Sequence, residues 1–212
     1  MGINYSALST VVKDIKETSP ETNLIIVTKN RSYEDVCELL NNNYNEFGEN
    51  RVQEAQSKFS TLREKYLFKL HMLGPLQSNK IELALQIFDT IQSIDRIKIV
   101  QIIEKFIKTK EIPLRTKNFF IQVNIGDEQQ KSGIKIEDCK DFYFFCKNKI
   151  NIEGLMCIPP LNDDPVKYFD RLINLKNKIN NNLKISMGMS SDYLEALNKK
   201  ANYIRVGSKL FI

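Results

Sequence analysis

"NLIIVTKNRSYED", residues 23–35, runs an unbroken apolar block into a lysine and then into the start of a helix. Leu24, Ile25, Ile26 and Val27 show no polar alternation, which is the pattern of a strand covered on both faces, as in a parallel sheet. Thr28 and Lys29 follow, then a polar turn, and Ser32 stands where a helix N-cap would. Beyond it "YEDVCELLNN" places Val36, Leu39 and Leu40 on one helical face. A doubly covered strand leading into an amphipathic helix is the first part of a β-α-β unit.

The rest of the chain repeats that unit. After an opening helix over about 4–17, strands are predicted at 24–29, 45–50, 69–74, 90–95, 119–126, 151–158, 183–190 and 203–211. Between them lie stretches with apolar residues at three-and-four spacing, such as "RVQEAQSKFSTLREK" with Val52, Ala55, Phe59 and Leu62. Alternating strands and helices imply parallel pairing through right-handed crossovers. Eight strands favour a closed barrel over an open doubly wound sheet, and "VTKNRS" lacks the G-x-G-x-x-G that a Rossmann first turn wants. The expected fold is therefore α/β, a single (β/α)8 TIM-type barrel filling residues 1–212 with an extra N-terminal helix.

Composition excludes several function classes. The 31 basic and 26 acidic residues leave a formal charge of +5, with the lysines scattered among asparagines, as in "KNKINNNLK", so no nucleic-acid partner is expected. No run approaches the roughly 18 apolar residues of a membrane span, and no secretory signal opens the chain, so no membrane contact and a cytoplasmic protein are expected. "MGINYS" fits the loose N-myristoylation pattern, but it reads better as the start of an amphipathic helix. Cys37, Cys139, Cys146 and Cys157 lack C-x-x-C spacing and His71 is the single histidine, so reduced thiols and no metal site are expected. Cys139 and Cys146, seven apart, share a helix face predicted to be buried.

In a TIM-type barrel the chemistry gathers at the C-terminal ends of the strands. Those ends supply Lys29, "GEN" 48–50, "GPLQSNK" 74–80, "SIDR" 93–96, Asn124, "MCIPP" 156–160, Ser186 to Asp192, and "RVGS" 205–208. Carboxylates are few and unpaired in sequence, which disfavours glycoside hydrolysis and metal-assisted hydrolysis. "GMSSDYLEAL" and "VGSK" instead offer serine hydroxyls and backbone N–H groups to an anion, as do the phosphate loops after strands seven and eight of many barrels. The same residues also serve as a helix cap and ordinary turns. A lysine beside a phosphate cradle suits a Schiff base, whether with pyridoxal 5′-phosphate or in an aldolase. A partly dry mouth and Arg205 would lower its pKa.

"VTK", "FGENRVQE" 47–54, "HMLGPLQSNK" 71–80, "IDR" 94–96, "KSGI" 131–134, "GLMCIPP" 154–160, "SMGMSSD" 186–192 and "IRVGSKLF" 204–211 together resemble the YggS/PROSC pyridoxal phosphate homeostasis proteins. These are single barrels akin to the N-terminal domain of alanine racemase, fold-type III, without its C-terminal β domain. The resemblance implies that Lys29 carries pyridoxal 5′-phosphate as an internal aldimine and that Arg205 faces the pyridine nitrogen. It also implies that Ser190, Gly207 and Ser208 hold the phosphate and that Asn50 lies near the ring. Gln77 and Lys80 are further candidates for the mouth, and His71 is read as a satisfied residue inside the barrel. The chain departs from the family pattern in three places. "KNRS" lacks the usual threonine and proline, Ser208 replaces a threonine, and the run ending at Phe211-Ile212, without the usual glycine-containing tail, is expected to weaken barrel closure.

An arginine facing the ring nitrogen disfavours carbanion chemistry, and no second base stands out. The leading expectation is thus a monomeric, non-enzymatic carrier or buffer in vitamin B6 homeostasis that hands its cofactor to apo-enzymes. A fold-type III enzyme such as an amino-acid racemase is the alternative, and a regulatory module a weaker third.

Overall fold

The computed structural model describes residues 2–212. Its strands are β1 (Asn23–Val27), β2 (Glu46–Glu49), β3 (Lys69–Met72), β4 (Thr90–Ile94), β5 (Asn118–Val123), β6 (Ile152–Cys157), β7 (Lys184–Ser186) and β8 (Tyr203–Val206). They form a closed parallel barrel in chain order, with Leu24 opposite Ile204 and Ile25 opposite Arg205 where β8 returns to β1. The helices are α1 (Tyr5–Thr18), α2 (Tyr33–Asn41), α3 (Val52–Phe59), α4 (Ile81–Ile87), α5 (Ile97–Thr109), α6 (Cys139–Cys146), α7 (Pro165–Ile179) and α8 (Tyr193–Asn198).

The apolar run of β1 divides between two cores. Ile26 packs outward into the large shell between barrel and helices, whereas Ile25 points inward with Leu73, Phe120, Met156 and Tyr203. Alternate residues of a strand face opposite sides, and with helices outside and a filled interior both sides of β1 are apolar. Ser32 caps α2 in a reciprocal capping box with Asp35, with 3.1 Å bonds in both directions.

The strands stop short of the sequence expectation at their C-terminal ends. β7 ends at Ser186 rather than 190 and β8 at Val206 rather than 211, because the chain there leaves the ladder to form the site loops. Gly188, at φ +89°, makes the turn from β7 towards α8. A side chain there would be strained and would meet Ala196.

The N-terminal helix is not surplus. Among the described residues a 3-10 turn, Ser208–Leu210, follows β8, and α1 takes the eighth place in the ring. It lies between α2 and α8, where the Tyr5 hydroxyl donates to Glu38 at 2.8 Å and the Tyr193 hydroxyl donates to Asp14 at 2.7 Å. Barrel closure is not weakened by the run at Phe211-Ile212 either. Ile3 bridges Phe211, and the Asn4 N–H donates to the Leu210 carbonyl at 2.8 Å.

Candidate functional site

A cavity of about 700 Å³ opens at the C-terminal mouth of the barrel. Lys29, Asn50, Ser190, Arg205, Gly207 and Ser208, which come from five loops and strand ends, all line it. Apolar walls come from Val27, Leu73, Ile158 and Met189. Gln77 and Lys80 do not reach the cavity and sit at the 3-10 turn before α4.

Lys29 lies two residues beyond β1 and is solvent-exposed, so the chain alone does not supply the dry mouth expected for it. Its backbone is clamped on both sides. The Thr28 N–H donates to the Gly48 carbonyl at 3.0 Å and the Arg31 N–H to the Thr28 carbonyl at 3.0 Å. Asn30 adopts φ +59°, a left-handed conformation that asparagine tolerates, and its N–H donates to Glu54 at 2.5 Å. Beneath the loop, buried Lys58 donates to the Thr28 carbonyl at 2.6 Å and pairs with Glu49 at 2.5 Å and Glu54 at 2.9 Å. The Thr28 hydroxyl also donates to Glu49, at 2.7 Å. Burial pushes the Glu49 carboxyl above its ordinary value although Lys58 and Thr28 pull it down. This cluster holds the loop in which the family's threonine and proline are missing. Sequence reasoning missed it, because nothing in "QSKF" marks Lys58 as buried.

Arg205 is 4% exposed and projects from β8 to the cavity floor. Its Nη1 donates to the Ser186 hydroxyl at 2.8 Å and its Nη2 to the Cys157 carbonyl at 2.7 Å. Among the described residues no carboxylate lies within ion-pair distance of it. Burial lowers its pKa, with Asp192 acting at longer range in the opposite sense. A buried guanidinium held by neutral acceptors keeps spare donor capacity for an acceptor in the cavity.

The anion cradle differs from the expected one. α8 has six residues, too few to supply a strong terminal field, and Asp192 accepts from the Met189 N–H at 2.5 Å instead of capping the helix. The donors are loop amides. Gly207 and Lys209 both direct their N–H groups at the Ser190 hydroxyl, at 3.3 and 3.4 Å. Bonds this long are ones that a charged oxygen would readily replace. Lys209 was not among the sequence candidates. On the opposite wall Gln122 donates to the Ser132 carbonyl at 3.2 Å, while its Oε1 is buried without a partner. Sequence reasoning missed this residue as well, since "FFIQVNIG" reads as a plain strand. The three features fit pyridoxal 5′-phosphate. Loop amides suit its phosphate, an unpaired guanidinium its ring nitrogen, and an orphaned acceptor its ring hydroxyl.

Other candidates resolve plainly. His71 is 1% exposed inside the barrel and both its ring nitrogens are partnered, as the sequence suggested. All four cysteines are free, and burial pushes the thiols of Cys139, Cys146 and Cys157 up to about 12. Among the described residues no helix is long and apolar enough to cross a membrane.

The family profile described as alanine racemase, N-terminal domain, matches residues 3–212. The pyridoxal phosphate homeostasis protein of Pasteurella multocida is 31% identical over 212 residues, covering 94% of this chain and 90% of its own. That of Helicobacter pylori is 35% identical over 196 residues, covering 89% and 86%. Among solved structures, PipY of Synechococcus elongatus without PLP matches with a TM-score of 0.84 at 28% identity, over 98% of this chain and 99% of that one. Its PLP-bound form matches with a TM-score of 0.81 at 26% identity.

Proposed function

Because the chain belongs to the alanine racemase N-terminal domain family, and within it to the pyridoxal phosphate homeostasis proteins, we propose that its barrel binds pyridoxal 5′-phosphate as a non-enzymatic reservoir. The observation that carries this reading is the convergence of Lys29, Arg205, Ser190, Gly207 and Ser208 on one cavity. When bound, the cofactor supplies an aldehyde that a primary amine captures reversibly and a ring that can withdraw electrons.

Each residue then has a task. The Lys29 amine, exposed on a clamped loop, would hold the group through its aldehyde. Gly207 and the hydroxyls of Ser190 and Ser208 would hold the phosphate, with the Lys209 N–H behind Ser190, and Gln122 and Asn50 would hold the polar edge of the ring. Arg205 would hold the ring nitrogen by donating to it, and a partner that keeps its own proton would make the ring a poor electron sink. Among the described residues lining the cavity, none is Asp, Glu, His, Tyr or Cys. That lining supports storage over proton-transfer chemistry: besides Lys29 it holds Lys131, whose ammonium is paired with Glu128 and donates to the Pro159 carbonyl at 3.2 Å. The exposed mouth leaves the cofactor open to amines and to hand-over to apo-enzymes.

Borohydride reduction of the loaded protein followed by peptide mass analysis tests this. Pyridoxyl label is expected on Lys29, and the Lys29→Ala protein should lose both the label and the visible band. An unchanged band in that variant would refute the site. Overnight incubation with a panel of L-amino acids, read for D-enantiomers and keto acids, should show no turnover. Robust turnover would replace the reservoir with a racemase-type enzyme.

A further inference from the structure

The barrel interior carries a continuous polar chain through an otherwise apolar core. From the cofactor side, Arg205 Nη1 donates to Ser186 Oγ at 2.8 Å. Ser186 Oγ is 2.6 Å from Gln92 Oε1, Gln92 Nε2 is 3.1 Å from His71 Nδ1, and His71 Nε2 is 3.0 Å from Glu46 Oε1. Ser186 and Gln92 are fully buried and His71 and Arg205 nearly so. The chain begins at the C-terminal cavity and ends at the other mouth, where His71 lines a second cavity of about 730 Å³.

The direction of every bond follows from its first donor. A guanidinium can only donate, so Ser186 accepts from Arg205 and must give its own proton to Gln92 Oε1. That fixes the Gln92 amide with its NH₂ towards His71, and Nδ1 must accept. The remaining ring proton sits on Nε2 and points at the Glu46 carboxylate. One hydrogen-bond pattern satisfies all four links between these five side chains, and it requires a neutral imidazole.

We propose that His71 is a positioning residue for Arg205, acting through Gln92 and Ser186 to hold the guanidinium in place for the acceptor in the cavity. This rests on the binding site described above for its consequence, though not for its geometry. A second proton on Nδ1 would face the Gln92 NH₂. The amide would turn over, and Ser186 would face two donors with no acceptor for its own hydrogen. The groups that surround His71 are Glu46 on β2, with Lys69 of β3 4.0 Å from its carboxylate, and the Tyr203 ring on β8, 5.6 Å away. Lys184 on β7 lies over that ring at 5.7 Å and pairs with Glu153 on β6 at 2.7 Å. Farther out in the lower cavity, Asp89 and Arg115 are 3.6 Å apart. Proton uptake at this mouth would therefore be felt by the cofactor at the other.

His71 is the single histidine, so its ring nitrogens are unambiguous in a long-range ¹H–¹⁵N spectrum of the cofactor-free protein. The expected spectrum at pH 7–8 shows a bare Nδ1 and a protonated Nε2. In Gln92→Glu, a carboxylate that can only accept should draw a proton onto Nδ1 and leave an imidazolium at the same pH. A protonated Nδ1 in the parent, or an unchanged ring in Gln92→Glu, would overturn the inference. On the loaded protein, His71→Leu should weaken binding roughly threefold to tenfold, about one hydrogen bond, and shift the cofactor's visible band. His71→Asn, which keeps an acceptor near the Nδ1 position, should restore both. A well-folded His71→Leu protein with unaltered band and affinity would refute the coupling. Absence of any bound cofactor would refute the proposed function instead, and the ring spectrum would still decide the hydrogen-bond pattern.

Discussion

Lys58 and Glu49 show how a residue outside the cavity sets the position of one inside it. Replacing Lys58 by methionine leaves Glu49 buried without its counter-charge, and removing one partner of a buried pair costs about 3–5 kcal/mol. Urea unfolding should show that loss, and the double variant with Glu49→Leu should recover most of it. The pH dependence has a definite sign. Burial raises the Glu49 carboxyl above its ordinary value of 4.5 and raises Asp95 in the same sense. In the window above the ordinary value the native state holds a proton that the unfolded chain has released, so stability falls as pH rises through the folded value. Glu49→Gln should flatten that fall in pH-dependent melting curves, and adding Asp95→Asn should flatten it further. Lys29, Arg205 and the serines were legible in the sequence because strand-end chemistry and family motifs mark them. Lys58, Gln92 and Ser186 were not given roles, because all their partners but Glu54 lie 9 to 94 residues away and only the folded barrel brings them together.

Elements were easier to read than their ends. Although β2 "EFGE" and β4 "TIQSI" carry polar residues that the barrel buries, most strands announced themselves as short apolar runs. Their C-terminal limits did not, because the loops that build the site continue in extended-looking sequence such as "SMGMS" and "VGSKLF". The role of α1 was hidden too, since an amphipathic pattern shows that a helix packs but not where. Leu8 on α1 is fully buried, and Leu8→Ala should cost about 2–5 kcal/mol in urea unfolding, as for a core leucine elsewhere in the ring. A loss below about 1 kcal/mol would mark α1 as an appendage. Gly74, just past β3, probes the site rather than the core. A methyl group there would fall on the backbone of Asn50, so Gly74→Ala should displace Asn50 and weaken cofactor binding while leaving the helical signal intact. Equilibrium titration of the visible band, set against circular dichroism, reads the two effects separately.

At the scale of the whole molecule the two mouths of the barrel divide their tasks by how their polar groups are satisfied. Around the N-terminal mouth charges are matched. Arg63 donates to the Phe68 carbonyl at 2.6 Å and to Asp89 at 2.5 Å, and its guanidinium lies 3.9 Å over the Phe68 ring. Asp89 also accepts from the Leu70 N–H at 2.8 Å, which ties the turn after α3 to β3 and to the end of α4. The C-terminal mouth keeps its groups short of partners, with a buried arginine lacking a carboxylate, an orphaned Gln122 oxygen and two amides sharing one serine hydroxyl. Groups already satisfied stabilise the fold, whereas groups left waiting gain most from a ligand. Arg63→Ala should therefore cost about 2–4 kcal/mol, lowering the melting temperature by roughly 5–15 °C, with cofactor affinity unchanged. Ser190→Ala should do the reverse, leaving the melting temperature of the cofactor-free protein within about 2 °C and weakening cofactor binding roughly tenfold. Thermal melts and band titrations on the two variants measure both columns of this comparison. If Ser190→Ala costs stability without affinity, the C-terminal loops are structural and the division between the mouths fails.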